Sequence, residues 1–334
     1  MPNKIGLNAQ WFHDGSPVNL KIENNPSIAS YSPAAMAAFL TTSNIHININ
    51  QWNLGSPAII LGNSATDRVQ DVSFNDGQGN PWILKDVPLP SRLIDYALYR
   101  VANGDGDGMV CLWDEAKNGF YSFWQPRYEN EVFTITFGGF SPINNAGFSI
   151  HKTKSPVEPD DTPSLGRASG ANYATGLIRK EEIVWGKINH AIAMAWPHSL
   201  TRGYSAVEPF VFPANTTDGG SDNANGDAVP MGARLQLDPT LTTADLTAMG
   251  MNGVDIIICK ALQEYGAYIV DTLGIGSNYG AIYMENLITS PQSNSFGATS
   301  AWSGAILSSF RFIDPPRVVQ LDTANQVGTP VPVL

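Results

Sequence analysis

Cysteine and charge are what this chain of 334 residues has least of. It holds 2 cysteines, Cys111 and Cys259, each inside an apolar run. That excludes a disulfide-stapled scaffold, and no zinc-ligand spacing is present. Two buried free thiols are the expectation, with one bridge between them as the alternative. Charged residues make up only 15% of the chain, so Asn, Ser, Thr and Gln must supply the polar surface. Basic residues are the scarcest: 19 Lys and Arg stand against 30 Asp and Glu, for a net charge of −11. Without a Lys/Arg-rich run the chain cannot neutralise a phosphate backbone, which argues against nucleic acid and an anionic membrane surface. No apolar stretch approaches the roughly 18 residues of a membrane-spanning helix. The opening Met-Pro-Asn-Lys-Ile-Gly has no apolar leader core. There is no G-x-S-x-G elbow, no P-loop, no G-x-G-x-x-G opening a helix and no H-E-x-x-H, so serine-hydrolase, NTPase, nicotinamide and zincin chemistry lose their support.

What is present points to a β-rich protein with a real core. Hydrophobic residues reach 43%, with 31 Gly, 23 Pro and 8 Trp. A polar but weakly charged surface of this kind is common in secreted β-proteins. The expectation is an extracellular protein whose leader was removed and whose start Met was added. The length allows one large domain over 1–334, with residues 1–90 wrapping it or forming an edge. Helical periodicity is rare. Val254–Tyr265 shows it, with Asn252 as cap and Gly266 as terminator. Ser32-Pro33 opens a shorter helix through Leu40, and Thr242 or Thr243 caps another through Met249. Ser43–Asn50 alternates strictly and reads as a strand. Ala58–Leu61, Met109–Trp113, Phe120–Trp124, Val132–Phe137, Arg234–Asp238, Ala267–Asp271, Ala281–Glu285, Ala305–Phe312 and Val318–Leu321 are further strands. Ser155–Ala171 and Ala214–Gly232 read as loops. The fold class expected is mainly all-β: an antiparallel β-sandwich or jelly roll with a few short helices.

The segment Gly176–Ala195 carries the sharpest local expectation. Gly186 with Lys187 supplies a turn, and with Trp185 also in it the segment reads as a β-hairpin in which Glu182 and His190 are cross-strand neighbours about 5 Å apart at Cβ. A loop of Gly186-Lys187 alone slips the register and sets Ile183 opposite His190. A histidine beside a carboxylate suits acid–base chemistry, and it equally suits a hydrogen-bonded core. A second group is Asp271 and Glu285, each ending an apolar strand, with Arg234. Two acids flanking a cleft suit glycoside hydrolysis; each alone suits a turn cap. Aromatics form a third group. Trp113, Tyr121 and Trp124 gather on one hairpin, where sugar rings stack or a core packs. A fourth is Asn103–Gly108, where Asp105 and Asp107 alternate with Gly and can wrap Ca²⁺ but lack the closing bidentate Glu, which favours a solvated turn. Asp218–Asn223 has a similar, weaker claim. Asn215-Thr216-Thr217 matches a glycosylation acceptor.

Three runs together, Gly176–Ala195, Pro230–Pro239 and Ala261–Asp271, resemble a pattern found in secreted proteins of soil bacteria, actinobacteria-like. The resemblance covers roughly the second half, and Met109–Trp124 more loosely. It implies secretion and a β-sandwich, and transfers no catalytic role. The functional expectation is an extracellular polysaccharide hydrolase. Its acids would be Glu182, His190, Asp271 and Glu285. Its substrate contacts would be Trp113, Tyr121, Trp124 and Arg234. No cofactor is required, though Ca²⁺ can fit at Asp105 and Asp107. A polysaccharide lyase acting on uronates, with His190 or Tyr121 as base and Arg234 neutralising the substrate, is the close alternative. A non-catalytic carbohydrate-binding or structural surface protein is the other.

Overall fold

The computed structural model describes residues 11–41, 46–49, 55–75, 81–103, 106–149, 165–197, 199, 209–220, 228–273, 277, 279–286, 296–314, 319–321 and 328–330. Two sheets organise it. The larger has seven strands in the order Ala301–Trp302, His46–Ile49, Tyr279–Ile282, Ile192–Trp196, Ala267–Thr272, Arg234–Leu237 and Phe310–Ile313. The smaller has four, in the order Ala58–Gly62, Val110–Asp114, Gly119–Trp124 and Phe137–Pro142. The architecture is sheet-dominated, as its composition implies. It is not purely antiparallel. His46–Ile49 runs parallel to Tyr279–Ile282, Ile192–Trp196 parallel to Ala267–Thr272, and Ala58–Gly62 parallel to Val110–Asp114. Parallel neighbours need long crossovers, and long chain segments separate each of these pairs.

The strand period of two sorts side chains into three cores. In Ile192–Trp196, Ile192, Met194 and Trp196 face the helices, while Ala193 and Ala195 face the smaller sheet. In Val110–Asp114, Cys111 and Trp113 face the larger sheet, while Val110 and Leu112 face away. The middle core therefore takes residues from both sheets. The helices Ser32–Thr41 and Gly253–Glu264 cover the far face of the larger sheet. The helix Ser91–Asn103 and the hairpin Val69–Asn75/Pro81–Pro88 cover the far face of the smaller one. Both cysteines are buried and unbridged. Among the described residues no helix is long and apolar enough to cross a membrane.

Local signals explain most elements. Asn252 accepts hydrogen bonds from the Val254 and Asp255 amides, and Gly266 takes φ 74° just beyond the helix, as its terminator role requires. Thr242 caps Thr243–Ala248 through the Asp245 amide. Two readings change. Val132–Phe137 splits into Val132–Thr134 and the start of Phe137–Pro142. Gly304–Ser309 forms a 3-10 turn before the strand Phe310–Ile313.

The larger correction is at 176–195. Lys180–Trp185 is a helix and not the first arm of a hairpin. Glu181 and Glu182 occupy its first turn, where the helix dipole favours acids, and the Glu182 carboxylate accepts the Arg179 amide at 3.0 Å. Gly186 then ends the helix at φ 75°.

Candidate functional site

Glu182 and His190 do meet, by a different route. The helix turns Glu182 inward, and the chain returns past Gly186 to set His190 against it. His190 Nε2 lies 3.0 Å from Glu182 Oε1, and Nδ1 lies 2.8 Å from the Ala191 carbonyl oxygen. Each ring nitrogen faces an acceptor oxygen. Arg179 Nη2 donates to the same carboxylate at 2.6 Å. Burial alone would push Glu182 up, but the His190 and Arg179 charges outweigh it and hold the carboxyl at about 2. The side chains of Glu182 and His190 are 3% and 12% exposed. The void beside Arg179 and His190 is about 10 Å³, room for no more than one water. This is a largely buried ionic network that ties the short helix to the larger sheet, and among the described residues the space beside it is too small for a sugar.

The open space lies elsewhere. A cavity of about 550 Å³ is walled by both sheets and by the two segments read as loops. Asp107, Trp124, Arg167, Tyr173, Asp218, Asp271 and Tyr283 line it. Its position follows from one irregularity. Strict alternation along Ala267–Thr272 would send Asp271 to the helix-covered side with Ile269. The pairing with Ile192–Trp196 shifts register, so that Ile269 sits opposite Met194 but Asp271 opposite Ala195. This bulge re-aims Asp271 toward the middle core.

Arg167 meets it there. The segment around Arg167 is pinned by the Arg167 amide to the Ala171 carbonyl (2.9 Å) and by the Ser169 amide to the Val270 carbonyl (3.0 Å). Arg167 Nη1 donates to Asp271 Oδ2 at 2.6 Å, and the Ala168 amide donates to Oδ1 at 3.0 Å. The Tyr283 hydroxyl adds a third bond at 3.3 Å. The buried guanidinium sits 3.8 Å from the Tyr283 ring centre and 5.0 Å from that of Tyr173. Asp271 is thus a carboxylate with its charge compensated.

Asp218 is held differently. It is exposed through the mouth of the cavity, yet protein encloses it on most sides. That enclosure, with the Asp271 charge second, pushes its carboxyl up to about 6; water reaching it through the mouth limits the effect. Burial likewise raises Asp107, whose Oδ1 accepts the Trp124 indole N–H at 3.1 Å.

The remaining expected residues scatter. Glu285 accepts the Lys180 amide at 3.1 Å at the start of the helix, outside the cavity. Burial, then the Glu181 charge, push it up to about 7. Trp113 is buried in the middle core 4.8 Å from Phe120. Tyr121 faces the opposite side of its sheet, its hydroxyl donating to the Lys85 carbonyl at 3.1 Å and accepting from Lys117 Nζ at 2.7 Å. Strand alternation sets Tyr121 on the face opposite Trp124, while Trp113 shares the face of Trp124 but is buried in the core. Arg234 is buried, donates to the Tyr265 carbonyl at 2.9 Å and stacks 5.1 Å from Tyr268. Burial lowers it below the usual arginine value, and it pairs with neither Asp271 nor Glu285. Asp105 lies outside the described residues, as do Asp222 and Asn223. Among the described residues no group of three or more His, Cys, Asp or Glu is arranged to hold a metal ion. The Asn215 amide that would carry a glycan donates inward to the Ser149 carbonyl at 3.0 Å.

Of the expected residues, then, Asp271, Trp124 and Asp107 share the cavity. Arg167, Tyr173 and Tyr283 carry no expectation from the sequence, and Asp218 carries only the weak Ca²⁺ claim of 218–223. The one usable signal was that Arg167 and Asp218 fall in the two segments read as loops, where functional side chains concentrate. Comparison of the chain with protein-family models, curated proteins and solved structures gave no match.

Proposed function

We propose that this chain is a glycan hydrolase whose site is the cavity between the two sheets. The observation that carries the reading is a pair of carboxyl groups in unlike settings within one aromatic-walled space. Asp218 is pushed up to about 6 and keeps a proton in mildly acidic solution; Asp271 is ion-paired with Arg167. Groups whose environments drive their protonation apart are what acid–base division of labour requires. Asp218 donates its proton to the glycosidic oxygen as the C–O bond breaks. Asp271 faces the positive charge that develops on the sugar ring. Water then adds at the anomeric carbon, and its second proton returns to Asp218. Trp124 offers a face for the sugar ring.

A purely binding role shares the cavity but has no use for the unlike carboxyls. The weakly charged, Asn- and Ser-rich composition supports an extracellular setting. The middle core shared by both sheets supports a sandwich of mixed sheets over a jelly roll. Incubation with a panel of polysaccharides, read by new reducing ends, tests the reading. Release that Asp218→Asn abolishes supports it. An unsaturated, ultraviolet-absorbing product would turn it to a lyase, and no release from any glycan would leave the binding role.

A further inference from the structure

The charges lining the cavity constrain the ligand beyond its being a sugar. Among the described lining residues three are carboxylic acids, Asp107, Asp218 and Asp271, and one is a cation, Arg167. Arg167 is already committed to Asp271 at 2.6 Å. A uronate entering this space would meet the Asp107 and Asp218 carboxyls and a guanidinium already paired with Asp271, a lining that disfavours anionic sugars. A cationic ligand gains instead. Burial disfavours the charge on Asp107, and a bound ammonium would restore it.

Asp107 is also placed for the purpose. Its Oδ1 is tied to the Trp124 indole N–H at 3.1 Å, so the carboxylate is fixed at the edge of the ring that a sugar would stack on. A second feature points independently to a ligand. The Tyr173 side chain is fully buried, lines the same cavity, and among the described residues its hydroxyl has no hydrogen-bond partner. A buried hydroxyl left unpaired is costly, and a ligand oxygen would satisfy it.

We infer that the cavity takes an amino sugar, its ammonium against Asp107, its ring on Trp124 and one of its oxygens accepting from Tyr173. This rests on the hydrolase reading for the identity of the site, but it is tested by binding. Asp218→Asn mimics the protonated acid and suppresses turnover, so it serves as the background. Calorimetry would compare glucosamine oligomers, their N-acetylated counterparts and oligouronates of equal length. The expected result is binding of the free amine tighter by about tenfold or more than either other ligand. Adding Asp107→Asn should erase that preference, and adding Tyr173→Phe should weaken the amine and N-acetyl forms together. Equal affinities, a uronate preference, a preference that survives Asp107→Asn, or no binding at all would overturn the inference. Cleavage of neutral glycans without an amine preference would sink the inference and leave the hydrolase reading. Amine-selective binding with no cleavage by the unaltered protein would do the reverse.

Discussion

Arg167 and Asp271, 104 positions apart in the chain, form a 2.6 Å ion pair in the wall of the cavity. The arginine side chain is 0% exposed and the aspartate 14%. Neither charge tolerates losing the other, because a buried ion without a partner keeps its desolvation penalty. Arg167→Met should cost about 3–5 kcal/mol in denaturant unfolding. Arg167→Lys should recover only part of this, since an ammonium cannot lie flat between the Tyr173 and Tyr283 rings. A lysine variant as stable as the parent would show that the stacking contributes nothing.

Asp218→Asn should lower kcat by about 10²–10⁴-fold, the range general acids supply. Turnover in the unaltered protein should fall as pH rises through about 6, where Asp218 loses its proton. Its stability effect has the same sign. A folded value raised above the ordinary 3.8 stabilises fully below that value, and the contribution is lost as pH rises through about 6. The variant should therefore lack this slope in a plot of melting temperature against pH. An unchanged alkaline limb in the variant would assign it to another group.

Glu182→Gln should act on stability and leave turnover by the folded protein intact. The substitution leaves Arg179 and His190 buried without their counter-charge, at a cost of about 3 kcal/mol. Glu182 is depressed to about 2, so its contribution is present above the ordinary value of 4.5 and lost as pH falls from there toward 2. Acid titration of the melting temperature, parent against variant, should show the two curves converging as pH drops. A variant that keeps its melting temperature but loses turnover would move the chemistry to this network.

Gly176 and Gly186 both hold positive φ, at 68° and 75°. A methyl group at Gly176 would lie 2.6 Å from the Ala193 amide nitrogen and 2.9 Å from the Ala191 carbonyl oxygen. At Gly186 nothing stands within 4 Å. Gly186→Ala should cost only the left-handed penalty of about 1–2 kcal/mol. Gly176→Ala should cost clearly more, because backbone of the central strand must move. Equal unfolding midpoints for the two variants would contradict the close approach.

The legible parts of this protein were those with local causes. The cap at Asn252, the terminator at Gly266 and the alternation of Ile47 and Ile49 announced their elements. So did Gly119–Trp124, though alternation could not say that both of its aromatic faces are buried. The helix Ser91–Asn103 is hard to see in the sequence although Leu93, Tyr96, Ala97 and Arg100 keep helical spacing, because its exposed Leu98 and Val101 blur the stripe. Lys180–Trp185 is ambiguous in the sequence because Gly186 serves a helix end as readily as a hairpin turn; the paired acids of its first turn are the better guide. The site itself was only half legible. Asp271 at a strand end was visible, but the bulge that re-aims it depends on pairing with a strand far off in sequence. Arg167 and Asp218 come from loops whose meeting no periodicity encodes.

The most direct trial is glycan turnover by the unaltered protein, Asp218→Asn and Glu182→Gln, each verified as folded by circular dichroism. Loss of reducing-end release in Asp218→Asn alone is the outcome expected of a cavity worked by Asp218 and Asp271. Release that persists in Asp218→Asn, or that disappears with Glu182→Gln in a folded protein, would contradict it.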